Sequence, residues 1–122
     1  LADGVKCGPD NNIEGFAMAW IYLLLAGICE IGWPVGLKLA QGSELRVLGT
    51  VSAAACIALS GFLMWLAQKD IAMGTVYAVW TGIGAAGTFL VGVWFFGDPV
   101  SLWRYAGVLL IVGGVLVLRL AP

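Results

Sequence analysis

Histidine is absent from the 122 residues. That removes the commonest metal ligand and the usual general base together. Charge is scarce as well, at 11% of residues against the ~25% of an ordinary soluble domain. With 61% hydrophobic residues, the chain reads as a membrane protein rather than a globule around a buried core. Its length leaves room for one domain and no separate catalytic module. The three cysteines give no disulfide framework: Cys7 stands alone, Cys29 and Cys56 fall in apolar runs, and no CxxC occurs. Without histidine, a metal cluster or a nucleophile–base pair, no enzyme, metal or cofactor is expected. No nucleic-acid partner is expected either.

Residues 1–17, LADGVKCGPDNNIEGFA, are polar, and Gly8-Pro9-Asp10-Asn11-Asn12 reads as a turn or disorder. This stretch lacks the basic and apolar regions of a signal peptide. The chain begins with Leu1, and Met18 immediately precedes the first apolar run. Residues 1–17 therefore read as a leader, an extension or cloning remnant, and 18–122 as the membrane domain.

Four apolar segments follow, at about 18–39, 46–68, 73–96 and 102–120. Each is long enough to span ~30 Å of hydrocarbon with some tilt. They are divided by Gln41-Gly42-Ser43-Glu44, Gln68-Lys69-Asp70 and Gly97-Asp98-Pro99. The last is a strong stop because proline cannot continue the helix. Links this short predict antiparallel neighbours and a compact all-α bundle of four transmembrane helices. Cationic residues do not orient it. Lys6, Lys69 and Arg119 fall on one side, Lys38, Arg46 and Arg104 on the other, so the positive-inside rule gives no preferred direction. Either the chain inserts both ways and pairs as an antiparallel dimer, or a partner or weak local signals set its topology.

Against this background Glu30 stands out as the one acidic residue inside an apolar span. It lies about 18 Å along the helix, near mid-bilayer. A carboxylate there costs at least ~2.5–3.5 kcal/mol, so it reads as a site for an ion, a proton or a cationic substrate. Steps of three and four gather Ala26, Gly27, Trp33, Pro34 and Leu37 beside it. Trp33 offers an aromatic face suited to a cation. Pro34 has no N–H for the carbonyl of Glu30, which either adds an acceptor near the carboxylate or merely shapes packing. On the third segment Tyr77, Trp80, Thr81, Gly84 and Thr88 share one face. Gly82, Gly84 and Gly87 allow close approach or bending there. Ser60 is the remaining polar candidate, although a lone intramembrane serine commonly bonds the carbonyl of its own helix. Gly107 and Gly114, seven apart on the fourth segment, form a small-residue seam that reads as a dimer contact.

The runs AGICEIGWPVGLK, GTVYAVWTGIGAAGT and GVLLIVGGVLV, in this order and spacing, resemble the small multidrug resistance transporters from Met18 to about Leu120. Trp33 and the WTGIGA run at 80–85 resemble the guanidinium-exporting branch. The chain departs from the pattern at QGSELRV, a longer first loop, and at Pro34, usually a small residue. The resemblance implies an antiparallel, dual-topology homodimer in the bacterial inner membrane, exporting guanidinium and substituted guanidinyl cations against protons. It implies that both Glu30 carboxylates share one site, binding proton or substrate. Trp33, Ser60, Tyr77 and Trp80 would order that site by hydrogen bonds. Gly27, Pro34, Thr81, Gly82 and Gly84 would line it or bend, and Gly107, Leu110, Ile111, Gly114 and Val115 match the family's dimerisation heptad. The alternatives are export of quaternary ammonium or aromatic cations, and a subunit of a paired heteromer.

Overall fold

A computed structural model describes residues 9–121, with side chains from Ile13 onward. It is all helical over its long elements: α1 (Pro9–Ala40), α2 (Arg46–Ala67), α3 (Met73–Phe95) and α4 (Leu102–Leu120). All four are long and apolar enough to cross a membrane. The shortest, α4 with 19 residues, reaches about 28 Å at 1.5 Å per residue.

The start of α1 corrects the expected turn. From Pro9 on, the polar stretch is helix and runs without a break through Ala17 and Met18 into the first span. Proline is at home in the first turn, where its missing N–H would be unpaired anyway and its fixed φ suits the helix. Lys6 and Cys7 lie outside the described residues.

Packing order differs from chain order. α1 lies between α2 and α3, α2 and α3 barely touch, and the α4 backbone packs only along α3. The expected compact bundle is therefore an open row, α2–α1–α3–α4. Small residues decide this. At the α1–α2 crossing, Gly36 and Ala40 face Gly49 and Ala53, so closely that a Cβ on Gly49 would stand 2.5 Å from the Gly36 carbonyl oxygen and 2.7 Å from the Ala40 nitrogen. Such small-x-x-x-small pairs let membrane helices meet backbone to backbone, where dispersion contacts replace the missing hydrophobic drive. Gly49→Val is expected to destabilise the fold by ~1–3 kcal/mol through overpacking against backbone that cannot yield. A fall in the thermal unfolding midpoint in detergent checks this.

The core is off-centre. Ala19, Trp20, Leu23, Ala67, Ile71, Val76 and Val79 pack together at the end where α1 and α3 begin and α2 finishes. At the same end the Arg119 guanidinium lies 4.7 Å from the centroid of the Trp20 ring and 5.9 Å from that of Phe16, a cation–π contact that ties α4 to α1. α4 itself has no buried residue. A Cβ on Gly107 or Gly114 would meet open space, and Leu110 is 78% exposed. Ile111 and Val115 turn the other way and close on Gly82 of α3.

Candidate functional site

Beyond the packed end, α1 and α3 run parallel and stay in close contact past Glu30, through Gly27, Gly84 and Gly87. Ile83 of α3 fits against Gly27, and Gly84 faces Glu30 itself, with a Cβ there only 2.5 Å from the Glu30 Cγ. Absence of a side chain at Gly84 is what gives the carboxylate-bearing chain its place between the helices.

The resulting cleft has a volume of about 510 Å³. Glu30 and Pro34 form its α1 wall, and Tyr77, Trp80, Thr81, Gly84 and Thr88 form its α3 wall. All five of those α3 residues belong to the face expected from helical spacing. Ala85, Phe89 and Asp98 complete the lining; none of the three is expected there from the residues alone, and Asp98 reads only as part of a helix stop. Trp33 is half-buried and outside this lining. Gly27 and Gly82 are packed against Ile83 and α4 respectively, away from the cleft.

Ser60 departs from the expected bond to its own helix. It is 1% exposed, and its hydroxyl donates to the Ala26 carbonyl of α1 at 2.8 Å. The same oxygen accepts the Trp80 indole Nε1–H at 2.8 Å. Thr50 and Ser52, farther along α2, do bond their own helix, to the carbonyls of Arg46 and Leu48. One buried hydroxyl thus joins α2 to α1 and α3 and fixes the plane of the Trp80 ring. Tyr77 packs on that ring at a centroid distance of 5.5 Å and is itself 59% exposed.

The electrostatics follow from what Glu30 does not touch. Among the described residues, its carboxylate has no hydrogen-bond or ion-pair partner. A charge at this depth demands a partner, and Tyr77, Trp80, Thr81 and Thr88 line the space where one would sit. Proton or cation can supply that partner; a planar cation also gains from the ring faces and from forked donors that fit carboxylate oxygens. Among the described residues no group of three His, Cys, Asp or Glu could hold a metal.

Comparison with known proteins agrees with this architecture. The family model for the Small Multidrug Resistance protein matches residues 18–111. The guanidinium exporter of Yersinia pseudotuberculosis is 42% identical over 104 residues, which are 85% of this chain and 99% of the relative. That of Proteus vulgaris is 40% identical over the same shares. The guanidinium exporter of Escherichia coli K12 is 39% identical over 85% of this chain and 98% of its own length. With four spanning helices and matches that cover almost the whole of these relatives, this is an integral, multi-pass membrane transport protein, not an enzyme, and it belongs to the small multidrug resistance family.

Proposed function

We propose that the protein exports guanidinium and substituted guanidinyl cations from the bacterial cytoplasm across the inner membrane, in exchange for protons. The observation that carries this reading is the unpartnered Glu30 carboxylate in a cleft walled by Tyr77 and Trp80. The guanidinium exporters to which the chain is similar support it.

The working unit is an antiparallel homodimer whose two Glu30 side chains share one site. The open side of the cleft, the exposed Tyr77 and the uncovered Gly107, Leu110 and Gly114 of α4 support a second copy as the missing cover. Near-equal cationic charge at the two ends supports insertion in both directions. Two carboxylates in a low-dielectric site cannot both ionise cheaply, so they hold either protons or a cation. Guanidinium remains charged throughout the physiological range, which makes the competition one-sided in protonation: only the carboxylates exchange protons. If access alternates between the two faces, this competition becomes exchange. Trp80, held by Ser60, presents a fixed ring to the planar cation. A cleft that reaches from Tyr77 to Phe89 and Asp98 leaves room for a substituent on it.

Transport in proteoliposomes under an imposed pH gradient tests the substrate class. Guanidinium and a small alkylguanidinium are expected to drive current, and tetraphenylphosphonium is expected to give little. Current with tetraphenylphosphonium but none with guanidinium would replace this reading with general export of bulky aromatic cations.

A further inference from the structure

We propose that Asp98 is a second cation-binding carboxylate of the transport path, a station that holds the guanidinium-class cation between water and Glu30. The inference rests on the export reading above.

Two rows of residues lead from Glu30 to the surface. Glu30, Pro34 and Lys38 are spaced by four on α1, and Gly84, Thr88 and Gly92 by four on the parallel α3. Each step climbs ~6 Å, so the rows end ~12 Å above Glu30. The Glu30 cleft occupies the lower part. A second recess of about 160 Å³, bounded by Lys38, Gly92 and Phe96, occupies the upper part. Pro34, Thr88 and Asp98 line both, so the two spaces share a wall and Asp98 stands at their junction.

The chain places Asp98 there by three local features. Gly97 turns the chain with φ +67°, a conformation that favours glycine. The Asp98 backbone N–H then returns to the Gly92 carbonyl at 3.0 Å. Gly92 has no side chain, and a Cβ there would collide with the Asp98 carboxylate. Asp98 is thereby exposed to water and at the same time lines both recesses, as an entry station must. Like Glu30, the Asp98 carboxylate has no hydrogen-bond or ion-pair partner among the described residues. Lys38 lines the same upper recess and offsets its charge without pairing with it. The station therefore attracts a cation weakly enough to release it inward. In an antiparallel pair it would recur at both membrane faces.

Guanidinium-evoked currents from proteoliposomes, measured over a range of substrate concentration, test the assignment. At low ionic strength Asp98→Asn, which keeps the shape of the side chain, is expected to raise KM roughly three- to tenfold and to lower kcat by less than about twofold. The difference should shrink in about 0.15 M salt, where charges a Debye length apart are screened. Asp98→Glu should restore most of the wild-type KM. Lys38→Gln leaves the loop intact and is expected to lower KM. A wild-type KM in Asp98→Asn, a loss in kcat alone, failure of Asp98→Glu to rescue, or an unchanged or higher KM in Lys38→Gln would each overturn the station while leaving the export reading in place. A wild-type protein that carries no guanidinium current would remove the export reading and this inference with it.

Discussion

Glu30→Gln is expected to reduce proton-driven guanidinium transport to the background of empty liposomes. The substitution keeps the size and hydrogen-bonding reach of the side chain and removes its charge and its proton. In the cleft no other acidic group lies at Glu30's depth, so nothing takes over. Losing one partner of a buried ion pair costs ~3–5 kcal/mol, which is a factor of ~10²–10⁴ in cation binding. Exchange fails more completely than binding, because the amide cannot carry a proton back. Glu30→Asp keeps both charge and proton on a shorter stem and is expected to retain exchange with an altered pH dependence. Radiolabelled guanidinium uptake by the three proteins, reconstituted at equal density, checks the set. Wild-type uptake by Glu30→Gln would mean that the cation binds elsewhere.

Gly84→Ala is the second large expected loss, and it separates position from charge. The new Cβ would stand 2.5 Å from the Glu30 Cγ and 3.3 Å from its Cβ. These are mid-chain atoms, so the whole side chain must rotate and the carboxylate must leave its place. Off-rotamer strain and overpacking together come to ~1–3 kcal/mol, and guanidinium affinity is expected to fall about tenfold or more. Helix propensity acts in the opposite direction, since alanine favours an interior helical position by up to ~1 kcal/mol over glycine. Gly74→Ala, in the first turn of α3, is the control for an added methyl on the same helix, with nothing within 4 Å of the added carbon. Calorimetric titration of guanidinium into the purified variants should show the loss at Gly84 and none at Gly74. Equal affinities in the two would show that Gly84 does not position the carboxylate.

How much of this was legible in the residues depends on the range of the physics involved. Span limits follow from local hydropathy, and three of the four helices end within a residue of where composition puts them. The exception is the start of α1. Hydropathy marks where lipid begins, whereas the helix continues through polar residues to Pro9, which hydropathy does not register. Face periodicity placed Tyr77, Trp80, Thr81, Gly84 and Thr88 together because it needs only one helix.

What needed two helices was not legible. Ser60 could as well have bonded its own turn, as Thr50 and Ser52 do; only the approach of α1 makes the Ala26 carbonyl its acceptor. Gly82 and Gly84 are two residues apart and look equivalent in the run TGIGAAG, yet one faces α4 and the other faces Glu30. Asp98 was hidden for a related reason. A loop residue has no periodicity to read, and its placement depends on a positive φ at Gly97 and a bare Gly92. The row order α2–α1–α3–α4 likewise depends on where Gly36, Ala40, Gly49 and Ala53 meet, not on the length of the links.

The central claim is that proton and guanidinium compete for the Glu30 carboxylates. It is tested most directly by adding guanidinium to purified protein in weakly buffered detergent solution and recording the pH. The account predicts that wild-type protein releases protons, with an amplitude that saturates as guanidinium fills the site, and that Glu30→Gln releases none. Saturable guanidinium binding by the wild type without proton release, or equal release by Glu30→Gln, would contradict it.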